Sequence, residues 1–161
     1  MIEYTDYLED TVWCNDRSMS NQSSNGWNPN GGSNSTYLYF GSVGNKSSLT
    51  CSNKMDSFTV DSANGNGSLT YPVGLLTEPE RSLASSSNSP LTSGATNWLL
   101  SPIDFNPYHA GGYVVDSNGG SYSYYVYYTY GVRPVVSLRS GIIYESGDGT
   151  VDTPYIVAMS S

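Results

Sequence analysis

Residues 121–130 read SYSYYVYYTY, and residues 131–138 follow directly with GVRPVVSL. The first segment holds six tyrosines in ten residues, and the second is an apolar run typical of a buried β-strand. Every buried tyrosine hydroxyl needs a hydrogen-bond partner, so tyrosine at this density is seldom core. Tyrosine with serine is instead typical of binding loops, where rigid rings and small polar spacers lose little side-chain entropy. We therefore predict a recognition surface on a β-rich scaffold, and the alternative is a tyrosine-decorated sheet face without a ligand.

The composition indicates one domain, spanning residues 1–161, that is long enough to bury a core. Charged residues make up only 12% of the chain, whereas Ser, Asn, Gly and Tyr are abundant. A weakly charged polar surface of this kind is typical of extracellular domains. The net charge of −8, with six Lys and Arg in total, argues against binding to nucleic acid or to an anionic membrane surface.

The two cysteines, Cys14 and Cys51, form one even pair in an Asn/Ser-rich chain. This pattern favours a single disulfide and an oxidising compartment, and the alternative is two free buried thiols. No apolar run reaches the ~18–20 residues of a membrane-spanning helix. We expect a protein displayed outside the cell or on its surface, with an export and anchoring segment that is absent from this chain.

The pattern of turns and apolar residues predicts an α+β fold with many short strands, one or two helices and much loop. A first helix is expected over residues 4–13. A second begins at Thr77, because Thr77 and Glu80 match a capping box around Pro79, and it is expected to carry Leu83 and Ala84 inward. Short strands are expected at residues 37–40, 48–51, 57–60, 97–102, 113–116, 132–138 and 155–157, with a hairpin turn at 117–120.

Residues that could support catalysis or bind a metal are few. His109 is the single histidine, which leaves neither a multi-histidine metal site nor a histidine-centred triad with support. Asp148 and Asp152 lie in a loop with faint calcium character, for which a plain turn is the simpler interpretation. We predict a protein that is not an enzyme and that uses no metal and no cofactor.

Three segments resemble a known family when they are taken together. Residues 71–80 (YPVGLLTEPE) resemble the strand-to-helix region of the formylglycine-generating-enzyme-like branch of the C-type lectin fold. Residues 97–102 (NWLLSP) and 131–136 (GVRPVV) resemble paired strands of bacterial surface domains related to it. Residues 7–17, together with 49–51, resemble the extracellular part of pilin-like proteins of Firmicutes.

The resemblance implies a C-type lectin-like fold and, among its non-enzymatic members, the variable proteins of diversity-generating retroelements. Those proteins bind ligands through a C-terminal face whose codons are mutated at adenines, which yields many residue types but never Lys, Glu, Gln, Met or Trp. Residues 99–130 contain none of these five types. Enzymatic relatives use a cysteine pair late in the sequence, and no cysteine follows Cys51.

We therefore interpret residues 103–130 as a variable ligand-binding region for a protein or surface glycan, in an adhesion module with a possible pilus or cell-surface assembly. The alternative function is the head of a structural, minor pilin subunit with no diversified site. The predicted contact residues are Ile103, Asp104, Asn106, Tyr108, His109, Tyr113, Asp116, Tyr122, Tyr124, Tyr125, Tyr127, Tyr128 and Tyr130.

Overall fold

A computed structural model describes residues 4–17, 34–35, 49–51, 53–84, 91, 93–105, 108–150 and 152–160. These residues form twelve mostly short strands, one α-helix and two 3₁₀ helices, Tyr4–Tyr7 and Lys54–Asp56. The helix α1 is Glu78–Ala84, and the strands are β1 Leu8–Glu9, β2 Trp13–Cys14, β3 Asn34–Ser35, β4 Ser57–Phe58, β5 Val73–Gly74, β6 Asn97–Phe105, β7 Ala110–Val115, β8 Ser121–Tyr125, β9 Gly131–Val132, β10 Val135–Leu138, β11 Ile142–Ser146 and β12 Ile156–Met159. The predicted α+β class with many short strands and much loop is confirmed.

The largest sheet has five strands and is built around β6. Strands β6, β7 and β8 run antiparallel in sequence order, β3 pairs with the end of β6, and β9 pairs in parallel with its beginning. The predicted turn between β7 and β8 is confirmed, because the Asp116 carboxylate accepts hydrogen bonds from the backbone N–H groups of Asn118 and Gly120. Gly119 completes this turn with a φ of 83°, a conformation that glycine adopts without strain.

Strand β6 continues past Pro102, where the sequence pattern predicts its end. Proline cannot donate to a strand ladder, and it is tolerated where the pairing is irregular. The register between β6 and β7 shifts on both sides of Pro102. The longer strand carries Ile103 and Asp104 into the sheet, beside the beginning of β7.

The buried apolar side chains lie on strands β6 and β7 of this sheet and on β2. They are Trp13, Leu99, Ile103, Val114 and Val115. Val114 and Val115 are neighbours on β7 and point to opposite faces, so both faces of the sheet are covered at that point. Each fully buried aliphatic side chain contributes roughly 1.5–3 kcal/mol of transfer free energy.

Helix α1 begins as the capping box predicts. The Thr77 hydroxyl and backbone N–H both donate to Glu80 Oε2, at 2.6 and 2.8 Å, and the Glu80 N–H donates to the Thr77 hydroxyl. The expectation that Leu83 and Ala84 face inward is wrong, because the Leu83 side chain is 70% exposed and Ala84 is also exposed. The helix is instead attached through Glu78, whose N–H donates to Ser101 Oγ on β6 and whose carboxylate accepts from Ser121 Oγ on β8.

The helix predicted over residues 4–13 is wrong. Only Tyr4–Tyr7 is helical, as a 3₁₀ turn, and the chain then enters β1 and β2. Strand pairing replaces the helix, because Leu8 lies opposite Leu138 in β10 and Trp13 lies opposite Phe58 in β4.

The disulfide between Cys14 and Cys51 is confirmed, and it links residues 37 positions apart. Closing a loop of that length stabilises a fold by roughly 3–4 kcal/mol through loss of chain entropy in the unfolded state. An ion pair between Arg17 and the buried Asp56 lies next to the bond, with 2.5 Å between Nη2 and Oδ1.

The apolar segment at residues 131–138 is not the single buried strand that its sequence predicts. It divides into β9, which pairs with β6, and β10, which pairs with β5 and β1. The break falls at Pro134, which has no N–H to donate. Val132 is 66% exposed, and Val136 and Leu138 are also exposed. The strand expected at residues 37–40 lies outside the described residues, and residues 49–51 form no strand.

Strands β11 and β12 form a separate hairpin whose loop contains Asp148. Its carboxylate accepts hydrogen bonds from the Thr150 N–H, the Thr150 hydroxyl and the Thr153 hydroxyl. These bonds, led by the one from Thr153, lower the pKa of Asp148 to about 2. The carboxylate therefore closes a turn. In the described residues, no helix is long and apolar enough to cross a membrane.

Candidate ligand-binding surface

The tyrosine-rich segment begins as β8 and then returns across the sheet to β6. After Tyr125 the chain turns, with Tyr128 N–H donating to the Tyr125 carbonyl at 3.0 Å. The Val126 N–H donates to the Ala110 carbonyl at the start of β7, also at 3.0 Å. The Gly131 N–H then donates to the Thr96 carbonyl, just before β6. The segment thus connects one edge of the sheet to the opposite side of its central strand.

The rings of this segment form one connected group, which we call the tyrosine cluster: Tyr124, Tyr125, Tyr127, Tyr128 and Tyr130. Ring centres are 4.8 Å apart for Tyr127 and Tyr128 and 5.0 Å apart for Tyr124 and Tyr130. Tyr125 and Tyr128 are nearly parallel, at 12° and 6.5 Å. Such distances lie within the range of favourable aromatic contacts.

Two further rings anchor the tyrosine cluster at its ends. His109 lies against Tyr125, with ring centres 3.9 Å apart. Trp98 on β6 meets Tyr130 edge to face at 5.4 Å. Trp98 and Tyr130 are both half-buried, whereas the other four tyrosines of the cluster are exposed.

Most of the tyrosine cluster is accessible to a ligand. Tyr127 is 66% exposed, and Tyr124, Tyr125 and Tyr128 are each more than a third exposed. Rings that contact one another lose less freedom on binding than isolated side chains, because their neighbours already restrict them. The cluster is therefore an ordered aromatic surface, partly on the sheet and partly on the returning loop.

Two glycines in β7 lie opposite tyrosines of β8 and allow close contacts with side chains of β6. Gly111 lies opposite Tyr125 and Gly112 lies opposite Tyr124. A Cβ atom at Gly111 would approach Asp104 Oδ1 to within 2.4 Å. The absence of side chains at these positions leaves space for the Asp104 carboxylate at Gly111 and for the Trp98 ring at Gly112.

A depression of about 320 Å³ lies between this end of the sheet and the tyrosine cluster. Its floor includes the buried side chain of Ile103 and the carboxylate of Asp104. Its full lining is Ile103, Asp104, Gly111, Ser123, Tyr124, Tyr125 and Tyr128. The depression therefore combines aromatic walls with one acidic group.

The surroundings raise the pKa of two of the phenols. Loss of hydration raises the pKa of Tyr127 above its usual 10.0, and a hydrogen bond to Tyr128 and the nearby phenols raise it further. Loss of hydration also raises the pKa of Tyr130, followed by the electrostatic effect of Tyr124 and a hydrogen bond to it. At neutral pH these rings present hydroxyl groups and apolar faces without charge.

The predicted contact residues fall into several groups. Tyr108 is 92% exposed and Tyr122 is 56% exposed. Tyr113 is half-buried on β7. Ile103 is only 4% exposed, so it contributes to the floor of the depression rather than to an open surface. Asn106 lies outside the described residues.

Asp116, one of the predicted contact residues, has a local structural role. Its carboxylate holds the turn between β7 and β8, accepting from Asn118 and Gly120 at 2.9 and 2.7 Å. A side chain committed to its own turn is poorly placed to be exchanged for other residues. The Asp-Ser-Asn-Gly-Gly sequence carries this turn signal.

Sequence reasoning missed three residues that shape the surface: Trp98, Gly111 and Gly112. The pairing of two glycines with two tyrosines depends on the register of β7 against β8, which a single sequence does not specify. Trp98 contacts the tyrosine cluster through Tyr130, because the chain returns to β6 at Gly131. The sequence pairs Gly111-Gly112 and Tyr124-Tyr125 are the pattern that could have indicated this arrangement.

Two ion pairs away from the tyrosine cluster have structural roles in the described part of the chain. Arg81 binds the Glu78 carboxylate through two nitrogens, at 2.7 and 2.9 Å, and Arg17 pairs with Asp56. Within the described residues, no group of three or more His, Cys, Asp or Glu side chains could hold a metal ion.

Comparison of the chain with family models, with curated proteins and with solved structures gives no match. The functional interpretation therefore depends on the geometry and chemistry of the chain's own residues.

Proposed function

We propose that this protein is an extracellular ligand-binding module with a C-type lectin-like fold, and that the tyrosine cluster is its recognition surface. The single observation that carries the proposal is the connected group of exposed rings next to a depression. The ligand is a protein or a surface glycan, and the function is adhesion or surface display.

The chemistry of the tyrosine cluster favours recognition over a purely structural role. Tyrosine supplies a large apolar face, a hydroxyl that both donates and accepts, and only two rotatable bonds. Aromatic residues of this type supply much of the binding energy at protein interfaces. A sheet face that served only stability would instead bury such rings.

The position of the cluster is compatible with a diversified region at residues 103–130. Tyr122, Tyr124, Tyr125, Tyr127 and Tyr128 are exposed, so other side chains at these positions would leave the core intact. We expect less variation at Ile103, which is buried, and at Asp116, which holds its turn.

The disulfide between Cys14 and Cys51 supports placement outside the cell. Disulfides persist in oxidising compartments and are rare in the cytosol. The low fraction of charged residues, 12%, agrees with this placement.

The first prediction compares two exposed tyrosines. Tyr127→Ala removes a ring that is 66% exposed within the tyrosine cluster, whereas Tyr71→Ala removes one that is 61% exposed outside it. Against protein and glycan arrays, we expect Tyr127→Ala to weaken ligand binding by about tenfold or more, the ~1.4 kcal/mol or more that such an anchor contributes. Tyr71→Ala is the control and should bind as the unaltered protein does.

Circular dichroism and thermal denaturation should show both variants folded. Equal binding by the two variants would contradict a recognition role for the cluster. Unfolding of Tyr127→Ala alone would show that the ring serves stability, contrary to the proposal.

A second candidate is the head of a structural pilin subunit, and one observation favours it. The hairpin of β11 and β12 exposes Ile143, Ile156 and Met159, each by about half, and exposed apolar groups of this kind mark assembly contacts. Sequence variation among sister genes separates the two functions. Variation confined to residues 103–130 favours recognition, whereas an assembly contact should stay constant.

A further inference from the structure

We propose that the depression beside the tyrosine cluster binds the guanidinium group of an arginine side chain on a protein ligand. The inference rests on the proposed function, since it names the chemistry that the recognition surface takes. Asp104 provides the negative charge, and Tyr124, Tyr125 and Tyr128 provide the aromatic faces.

The carboxylate of Asp104 is the first part of the argument. It lies at the floor of the depression, next to Gly111, where any larger residue would displace it. The ion pairs among the described residues are Arg17–Asp56 and Arg81–Glu78, which leaves Asp104 without a basic partner in that part of the chain. A half-buried carboxylate gains from a cation that replaces its lost hydration.

The aromatic walls are the second part. The ring centre of Tyr128 lies 5.9 Å from that of Tyr124 and 6.5 Å from that of Tyr125. A cation seated in the depression among these rings would lie within the ~6 Å over which ring faces attract positive charge. Ring faces and a carboxylate around one depression are complementary to an organic cation.

The type of cation follows from the donors that the site can use. Guanidinium is planar, is weakly hydrated, stacks on aromatic rings and offers paired N–H groups to a carboxylate. A quaternary ammonium also binds to ring faces, but it donates no hydrogen bond to Asp104. The net charge of −8 further favours the approach of a basic ligand.

The test titrates the folded chain with Nα-acetyl-argininamide and, in parallel, with its neutral isostere Nα-acetyl-citrullinamide. Nuclear magnetic resonance follows the backbone amides of Gly111 and Ser123, which line the depression. We expect saturable shifts with the arginine compound and binding weaker by about tenfold or more with the citrulline compound. Choline is the third probe, and it should bind more weakly than argininamide.

Three variants test the residues. Asp104→Asn should weaken argininamide binding by about fivefold or more, whereas Asp152→Asn, which changes the net charge equally in the β11–β12 loop, should leave it within about twofold. Gly111→Ala keeps every charge but displaces the Asp104 carboxylate, and it should also weaken binding. This variant decides the result if Asp104→Asn fails to fold.

Equal binding of the arginine and citrulline compounds would overturn the inference, as would tighter binding of choline or full binding by both site variants. Absence of argininamide binding would also overturn it. If Tyr127→Ala still weakens binding of the natural ligand in that case while Tyr71→Ala does not, the recognition surface stands and only the guanidinium site is lost. If argininamide does not bind and Tyr127→Ala binds the natural ligand as well as the unaltered protein does, both proposals fail.

Discussion

Gly74 allows one of the closest contacts between a ring and the backbone in the described residues. The Trp13 indole is buried and lies directly over this glycine, so that a Cβ atom there would come within 2.3 Å of the ring. The ring belongs to β2, next to the disulfide, and the glycine belongs to β5. This contact therefore joins the N-terminal strands to the sheet that contains β10.

We predict that Gly74→Ala destabilises the protein by about 1–3 kcal/mol, because a buried indole must move to admit the methyl group. Gly112→Ala is the graded comparison. Its Cβ would lie 3.2 Å from the half-buried Trp98 ring, which can shift by a few tenths of an ångström, so we expect a smaller loss. Urea denaturation of both variants measures the difference. A Gly74→Ala loss no larger than that of Gly112→Ala would contradict the packing described.

Individual side chains differ in how far the sequence predicts their role. The exposed tyrosines were predicted, because their density alone excludes a core made of them. The contact predicted at Asp116 stays a prediction, and the structure adds a turn role for its carboxylate, since turns and ligand contacts use the same residue types. Ile103 is predicted as the beginning of the contact region, whereas its side chain is only 4% exposed and lines the depression, because burial depends on tertiary packing that a single sequence does not specify.

Helix α1 shows why local signals are more reliable than the inference of a buried face. The capping box joins residues three positions apart, so it was predicted correctly from Thr77 and Glu80. The inward face was predicted wrongly at Leu83, because the helix is attached at its N-terminal end through Glu78, Ser101 and Ser121. Tertiary hydrogen bonds override the expected apolar stripe.

We predict that Thr77→Ala destabilises the protein by about 1–2 kcal/mol. The change removes the capping hydroxyl, so the Glu80 N–H loses its acceptor and the Glu80 carboxylate loses a donor. Thr77 is buried, which places the loss toward the upper end. Thr77→Ser keeps the hydroxyl and should retain most of the stability. Chemical denaturation checks both variants, and equal losses in the two would show that the cap contributes little.

Strands were harder to predict than the helix because each short strand depends on a distant partner. Residues 8–9 and 13–14 carry a helical pattern, but their pairing with β10 and β4 determines their conformation. The segment 131–138 was read as one strand, whereas Pro134 separates two strands in different sheets. The sequence shows the proline that interrupts the strand, but it does not show that β9 pairs with β6 while β10 pairs with β5 and β1.

The molecule as a whole combines few charges with small sheets and one disulfide. Two ion pairs are present among the described residues, and the net charge is −8. The largest sheet carries the tyrosine cluster, whereas the Cys14–Cys51 disulfide joins β2 to the segment before the second 3₁₀ helix. Because the tyrosine cluster lies on the largest sheet, negative charge added to its phenols should affect both the stability of the fold and the recognition surface.

Alkaline pH tests this coupling. The folded protein raises the pKa of Tyr127 and Tyr130 above 10.0, so the native state binds these protons more tightly than the unfolded chain does. The stabilisation is fully present below about pH 10, and it is lost as pH rises through the raised folded values. We expect the melting temperature to fall over that range, together with the appearance of tyrosinate absorbance.

Tyr130→Phe keeps the ring against Trp98 but removes the ionising hydroxyl, so its melting temperature should decline less steeply with pH. Tyr71→Phe controls for loss of a phenol outside the cluster, and an identical decline in all three proteins would show that the cluster does not couple ionisation to folding.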